Sequence, residues 1–231
     1  MILNKLINSL DELILSLKNI NHVDFDNVAI SLFQNFGINK IESYDYKARE
    51  VVYRFSEIEF YLYNKCTDDW PIYNRDCEAG QWFLHKSGVD LAFETQRTVT
   101  SGKEELIQFG GILIRGLIKY IDGKIDCVIG GPQRCMFELF NATRTMPELV
   151  PLQNKVENNI LKGKRVRIEK DLHNTDEFRY YLTGVNWEME RTQIKDFKRQ
   201  DGYHVIKGVF KSSIPEQPNE LGTKVYTSND K

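Results

Sequence analysis

Two glutamates and a tyrosine alternate along one segment, Glu57-Ile-Glu-Phe-Tyr-Leu62. Because side chains on a β-strand alternate between its two faces, Glu57, Glu59 and Tyr61 are predicted to share one face. A carboxylate beside an aromatic ring on a rigid strand can activate a water molecule next to a flat substrate. Two glutamates roughly 7 Å apart along a strand also suit a glycosidase acid–base pair. The alternative is the solvated face of a half-exposed strand.

A single arginine interrupts the apolar segment Gly111-Ile-Leu-Ile-Arg-Gly-Leu-Ile118. Burying a guanidinium in such a strand costs free energy unless an anion pairs with it. A carboxylate partner would make Arg115 part of a structural ion pair, whereas a phosphate partner would make it a binding residue. Both alternatives stay open from the residues alone.

The segment from Trp82 to Asp90 contains His85, Ser87 and Asp90, the residue types of a hydrolase triad. Their closeness in sequence argues against triad geometry, and the chain has no Gly-x-Ser-x-Gly turn to present a nucleophile. We therefore expect His85 to stack or to form hydrogen bonds in a pocket.

A basic segment, Leu161-Lys-Gly-Lys-Arg-Val-Arg-Ile-Glu-Lys170, follows in the second half of the chain. Lys162, Lys164, Arg165 and Arg167 are predicted to contact phosphates without reading base sequence. The alternative is a solvated strand face and loop. Charge is uneven, because residues 1–110 carry a net −6 and residues 111–231 a net +4. The overall charge of −2 excludes a basic nucleic-acid coat over the whole chain.

The composition is that of a soluble globular protein, with 41% apolar and 28% charged residues. The four histidines and four cysteines lack metal-ligand spacing, so we expect no metal or other cofactor and reduced thiols. No apolar run reaches about 18 residues, and Asp11 and Glu12 interrupt the N-terminal one. These features predict a cytoplasmic protein without membrane contact.

Hydrophobic periodicity predicts an α+β protein, a single domain with a curved antiparallel or mixed sheet flanked by helices. We expect an amphipathic helix within residues 1–25, one domain over 26–211 and a loose tail over 212–231. Predicted helices cover 2–20, Asp26 to Asn35 with Gly37 as the stop, and Pro132 to Phe140. Predicted strands begin at Val51 and cover 80–85, 88–94, 110–118, 163–169, 178–183, 186–191 and 203–210. A polar loop is expected over 64–79, and over 145–155 a loop that leads into another helix.

In this order, the segments resemble the methylpurine DNA glycosylase family, also called the alkyladenine or 3-methyladenine DNA glycosylases. The family's Glu-Thr-Glu-Ala-Tyr-Leu strand is similar to Glu57-Ile-Glu-Phe-Tyr-Leu62, and its Val-Leu-Ile-Arg-Ala strand to Ile112-Leu-Ile-Arg-Gly-Leu117. Its Gly-Pro-x-Lys-Leu helix start is similar to Gly131-Pro-Gln-Arg-Cys135. The remaining similar segments are Gly80-Gln-Trp-Phe-Leu-His85 with Gly88, Arg165-Val-Arg-Ile168 and Phe178-Arg-Tyr-Tyr-Leu182.

The resemblance implies a base-excision-repair enzyme with the family's fold. Such an enzyme flips a damaged purine, alkylated or deaminated, out of DNA and hydrolyses its N-glycosidic bond without a metal. Glu59 would activate the attacking water, and Arg115 would position that water or the adjacent phosphate. The pocket for the base would be formed by Tyr61, His85, Tyr73 and Trp70.

The chain departs from the family pattern at positions that would grip DNA. Ser87 stands where the family has a tyrosine that wedges into the DNA gap, and Glu94 stands where it has a pocket asparagine. In the loop over 64–79, Arg75 is the one arginine. Two alternatives therefore remain: a glycosidase acting on a free nucleoside or nucleotide, and a non-catalytic protein of the same fold that binds nucleic acid or another protein.

Overall fold

The computed structural model describes residues 6–44, 47–65, 73–141, 145–153, 159–165, 177–185, 197–200 and 203–206. The helices in these ranges are α1 (Leu10–Lys18), α2 (Phe25–Asn35) and α3 (Pro132–Phe140), and a short 3₁₀ turn covers His22–Asp24. The strands of the first half are β1 (Phe36–Tyr44), β2 (Lys47–Asn64), β3 (Trp82–His85), β4 (Gly88–Ala92), β5 (Gln96–Thr100) and β6 (Lys103–Ile121). The later strands are β7 (Lys124–Gly130), β8 (Glu148–Pro151), β9 (Ile160–Gly163), β10 (Arg179–Leu182), β11 (Phe197–Gln200) and β12 (Tyr203–Ile206).

Ten of these strands form one sheet around the long strands β2 and β6. The main order is β3-β4-β6-β2-β1-β8, while β5 and β7 pair with β6, and β10 pairs with β2 and β9. All pairings between the described strands are antiparallel. The α+β class is confirmed, with an antiparallel sheet and few helices.

Tight turns allow β6 to pair with strands on both sides of it in sequence. Ser101 and Gly102 join β5 to β6 with φ of 53° and 77°, and Asp122 and Gly123 join β6 to β7 with φ of 49° and 74°. Two successive positive φ angles are typical of the hairpin turn whose twist matches that of the flanking strands. Between these turns β6 runs for 19 residues and is longer than the strand predicted over 110–118.

The two faces of the sheet carry different helices. Phe25 of α2 packs against Phe60 of β2, with ring centroids 4.4 Å apart, and against Phe93 at 6.3 Å. Ile112 and Ile114 belong to the same buried cluster, because alternate residues of β6 face this side. The intervening residue, Leu113, faces the opposite side, where α3 begins. That second face carries the charged residues predicted on β2 and β6.

The N-terminal helix is shorter than predicted. Within the described residues it begins at Leu10, because Ser9 accepts a hydrogen bond from the Glu12 backbone N–H and caps the helix there, while residues 2–5 of the predicted helix lie outside them. Ile7 precedes the cap and is nevertheless buried in the core. Leu13 and Leu17 are fully buried, so α1 packs on the sheet as its apolar stripe predicts.

Three other local predictions are wrong. Gly37 does not terminate α2 but lies in β1, where a Cβ atom would approach the Tyr53 carbonyl oxygen to 2.8 Å. Residues 148–151 form strand β8 on the edge of β1, instead of a loop. Of the strand predicted over 163–169, Gly163 ends β9 (Ile160–Gly163), which pairs with β10, residues 164 and 165 lie outside any strand, and 166–169 fall outside the described residues.

Several predictions fall outside the described residues. They concern Trp70, Arg167, the strand over 186–191, the last four residues of the strand over 203–210 and the tail over 212–231. In the part of the chain that is described, the helices are too short or too polar to cross a membrane.

Candidate active site

The second face of the sheet carries a row of residues that crosses four strands. Asp90 of β4 pairs with Leu113 of β6, Leu113 pairs with Glu59 of β2, and Glu59 pairs with Arg179 of β10. Residues directly opposite one another on paired strands point to the same face. Adjacent strands are about 4.8 Å apart, so the backbones of Asp90 and Glu59 are separated by about 10 Å.

A β-bulge in β2 places Glu57 next to this row. The register between β2 and β6 shifts on both sides of Glu57, which pairs with Gly116. A Cβ atom at position 116 would lie 2.5 Å from Ser56 Oγ and 3.0 Å from Glu57 Cβ, so the close approach requires glycine. Bulges of this kind re-aim a side chain. Here the bulge keeps Glu57 and Glu59 within reach of one arginine.

Arg115 connects the two glutamates. Its Nε donates a hydrogen bond to Glu57 Oε1 at 2.8 Å, and its Nη1 donates to Glu59 Oε2 at 3.2 Å. Arg179 Nε donates to the same Glu57 oxygen at 2.8 Å. The Glu59 side chain has 0% exposure and that of Glu57 has 3%. The prediction of one shared strand face is confirmed, and the solvated-face alternative is wrong.

The partners of Arg115 are therefore carboxylates, as the ion-pair alternative required. Burial alone would lower the pKa of Arg115, but the Glu59 and Glu57 carboxylates raise it above its ordinary value. The guanidinium is thus a permanent cation. Glu57, which accepts from two guanidinium groups, is engaged in ion pairs, so this geometry does not support the glycosidase acid–base pair.

Tyr61 adds a neutral donor to Glu59. Its Oη donates to Glu59 Oε2 at 2.7 Å. Burial and the adjacent Glu59 charge raise the pKa of Tyr61 well above its ordinary value, so the phenol stays protonated. The guanidinium of Arg165 lies 5.2 Å from the Tyr61 ring centroid and covers one side of the ring.

A second buried cluster lies on the same face near β3 and β4. Arg75 Nη1 donates to Asp90 Oδ2 at 2.5 Å, and His85 Nε2 is 3.0 Å from Asp90 Oδ1. Burial alone would raise the pKa of Asp90, but His85 and Arg75 lower it. Gly111 leaves room for this pair, since a Cβ atom there would lie 2.8 Å from Arg75 Nη1.

His85 uses both ring nitrogens in this cluster. The Ser87 backbone N–H donates to Nδ1 at 3.3 Å, so Nε2 carries the proton that is donated to Asp90. The expectation of a hydrogen-bonding histidine is confirmed. The Ser87 hydroxyl pairs with Tyr73 Oη at 3.1 Å, and the contact of Ser87 with the His85 ring is made by its backbone N–H, which is not the geometry of a triad.

The rings beside this cluster form a short stack. His85 lies 5.7 Å from Phe83 and 4.7 Å from Tyr73, and its side chain is only 9% exposed. His85 therefore offers little ring surface to a substrate. Tyr73 is the outermost ring of the stack and is 37% exposed.

Within residues 161–165, the part of it that the structure describes, the predicted basic segment does not form one surface. Lys162 pairs with Asp26 at 2.6 Å, and Lys164 is exposed. Arg165 is buried and stacks on Tyr61 and Phe178. The solvated alternative thus fits Lys162 and Lys164, while Arg165 joins the buried face.

Sequence reasoning missed two arginines and one carboxylate of this face. Asp90 and Arg179 each interrupt an apolar strand, and that signal is the same one that identified Arg115. Arg75 had no comparable signal, because its segment is a loop. Glu94, aligned with a pocket asparagine, instead accepts a hydrogen bond from the Ala79 backbone N–H at 2.8 Å.

Comparison with known proteins yields no family model, curated protein or solved structure that matches this chain. Among the described residues, no three His, Cys, Asp or Glu side chains are grouped so that they could hold a metal ion.

Proposed function

We propose that this protein hydrolyses the N-glycosidic bond of a nucleobase, and that its substrate is a damaged purine, alkylated or deaminated, in DNA. One observation carries the proposal: the Glu59 carboxylate is fully buried and held by Arg115 and by the Tyr61 hydroxyl. The resemblance to the methylpurine DNA glycosylases assigns water activation to Glu59, positioning of the water or phosphate to Arg115, and stacking on the base to Tyr61. The proposal includes that family's fold for residues 27–191.

In the proposed reaction, the carboxylate of Glu59 acts on the sugar of the bound nucleotide. The C1′–N bond breaks with its electron pair leaving on the base, and positive charge develops on the sugar as in other glycoside cleavages. The oxygen of a water molecule bonds to C1′, and Glu59 accepts the proton that this water loses. A neutral purine such as hypoxanthine leaves as an anion and takes up a proton from solvent, whereas a cationic alkylated purine leaves as a neutral base. Arg115 keeps Glu59 ionised until the proton arrives.

Recognition of the base is assigned to aromatic rings. Tyr73 is 37% exposed at the end of the stack with His85, with Lys86 Nζ 5.9 Å from its ring centroid, and we assign the extrahelical base to this exposed ring. Tyr61 contributes its hydroxyl to Glu59, and its ring contacts Arg165. His85 supports Tyr73 from behind, which replaces the direct stacking role given to it by the resemblance. Trp70 remains a proposed pocket residue on the resemblance alone.

A free nucleoside or nucleotide is the second candidate substrate, because the surface near the site is poorly equipped for a duplex. The turn between β3 and β4 consists of Lys86 and Ser87 and presents no bulky apolar wedge. Lys162 is already paired with Asp26, and Arg165 is buried. A small substrate would need neither a wedge nor an extended phosphate surface.

The experiment is single-turnover base release from three sets of substrates. Duplex oligonucleotides, single strands and free nucleosides would each carry hypoxanthine, an etheno-adenine or a methylated purine. Glu50→Gln is the matched control, because Glu50 lies at the exposed end of the same strand. We expect release by the wild type and by Glu50→Gln, and its loss in Glu59→Gln.

The outcomes separate the candidate functions. Release from duplex DNA supports a repair enzyme, and release from nucleosides alone supports the second candidate. No release from any substrate by the folded protein contradicts both, and salt-dependent DNA binding without release would then indicate a non-catalytic role.

A further inference from the structure

Glu57 has no role in the proposed reaction, yet its buried carboxylate is bound by two arginines. Its Oε1 accepts hydrogen bonds from both Arg115 and Arg179 at 2.8 Å. The Glu57 side chain is 3% exposed, so these ion pairs are shielded from solvent. Interactions between buried charges are screened far less than those at the surface.

We propose that Glu57 is a positioning residue that divides the charge of Arg115 between two carboxylates and so sets the basicity of Glu59, and that Arg179 holds Glu57 in place. The inference rests on the proposed function, in which Glu59 is the base. It adds two residues, Glu57 and Arg179, to those that the resemblance assigns.

Two carboxylates and two guanidinium groups balance one another in charge at this site. Glu57, Glu59, Arg115 and Arg179 together carry no net charge. Without the carboxylate of Glu57, the whole attraction of Arg115 would act on Glu59, which would become a weaker base. Without the cation of Arg179, the group would be net negative and Glu59 would hold a proton more tightly. The two changes should therefore move the pKa of Glu59 in opposite directions.

Other groups around Glu59 are common to all the variants that test this idea. The titratable and charged groups that face the carboxylate pair from the elements packed around it are Tyr61 on β2, Arg115 on β6, Asp90 on β4, Arg179 on β10, Arg165 after β9 and Cys135 on α3. The test changes only Glu57 and Arg179, so the remaining groups provide a constant background.

The test is a ¹³C titration of the Glu59 side-chain carboxyl in the full chain, assigned by the resonance missing from Glu59→Gln. In Arg179→Gln we expect Glu59 to take up its proton at a pH about one unit or more above that of the wild type. In Glu57→Gln we expect it to remain ionised to a lower pH. The double variant, Glu57→Gln with Arg179→Gln, removes one charge of each sign and should return towards the wild type.

The proposal is overturned if Glu59 in Arg179→Gln takes up its proton at the same pH as in the wild type. It is also overturned if the pKa of Glu59 falls in that variant. If Arg179→Gln fails to fold, the double variant, which removes one charge of each sign, is compared with Glu57→Gln. Titration of Glu59 at the same pH in these two variants also overturns the proposal. The titration needs no substrate. It is therefore independent of base release, whose absence would contradict the proposed function alone.

In an active protein, the acidic limb of the pH–rate profile provides a second readout. It should move with the Glu59 titration, upward in Arg179→Gln and downward in Glu57→Gln. A purely structural role for Glu57 would reduce the folded fraction without moving this limb.

Discussion

Replacing Arg115 by methionine tests how the buried charges of the site are balanced. The change keeps a long side chain but removes the only cation that bonds to both Glu57 and Glu59 among the contacts described. Glu57 retains Arg179, whereas Glu59 retains the neutral hydroxyl of Tyr61. The fully buried carboxylate of Glu59 then loses the attraction of the Arg115 guanidinium.

Breaking a buried ion pair from one side costs about 3–5 kcal/mol, because the remaining charge stays desolvated. For a chain of 231 residues, each kcal/mol shifts Tm by about 2–4 °C, so we expect a loss of roughly 6–20 °C. Arg97→Met is the matched control, since Arg97 forms partly exposed ion pairs with Asp76 and Glu104. Its expected cost is at most about 1 kcal/mol.

The assay is chemical denaturation between pH 8 and pH 5. In Arg115→Met the folded-state pKa of Glu59 rises above its unfolded value, so the folded protein binds more protons and regains stability as pH falls. Adding Glu59→Gln should also restore much of the loss, because it removes the buried charge that Arg115 balanced. A loss below about 1 kcal/mol, or one that depends on neither pH nor Glu59, would refute this reasoning.

The other predictions concern the bulge, the ion pairs of Glu42 with Lys40 and Lys119, and the exposed ring of Tyr73. Ser56 Oγ is buried without a partner among the described residues, so Ser56→Ala should leave the free energy of unfolding unchanged or raise it by about 1 kcal/mol. Gly116→Ala should cost about 1–3 kcal/mol, and Ser56→Ala should relieve part of that cost in denaturation experiments. Burial alone would raise the pKa of Glu42, but Lys40 and Lys119 lower it to about 2. Stability from Glu42 is thus complete above about pH 4.5 and is lost towards pH 2, and acid titration of Glu42→Gln should show a shallower loss. Tyr73→Ala should weaken binding of an oligonucleotide with a damaged base by about 1–3 kcal/mol, whereas Tyr73→Phe should retain it.

The alternating pattern of β2 was sufficient to predict which of its residues share one face of the sheet. Period two depends only on neighbouring residues, and Glu57, Glu59 and Tyr61 do lie together. The need of a buried guanidinium for an anion likewise predicted a partner for Arg115. Neither rule could name that partner, because Glu57 and Glu59 are more than 50 residues away in the chain.

The length of β6 was predictable in principle. The pairs Ser101-Gly102 and Asp122-Gly123 flank it, and a polar residue followed by glycine between apolar strands is a hairpin signal. Strand β8 carries no such signal. Its strand structure depends on pairing with β1, which is distant in sequence, so local propensity could not reveal it.

The second cluster shows where a sequence-based prediction of the site fails. His85 was expected to contact a base, but its ring lies between Phe83 and Tyr73. That burial results from Arg75 and Asp90, which meet across a loop and a strand. Side chains that meet through tertiary contacts leave no periodic trace in either segment.

The most direct test of the central claim is the single-turnover rate of base release by Glu59→Gln relative to the wild type, measured on the substrate that the wild type cleaves best. A positioned general base contributes about 10²–10⁴-fold to a rate. We predict a decrease of that size with unchanged binding of the substrate and a folded protein by circular dichroism. Release by Glu59→Gln at the wild-type rate would contradict the assignment of Glu59 as the base.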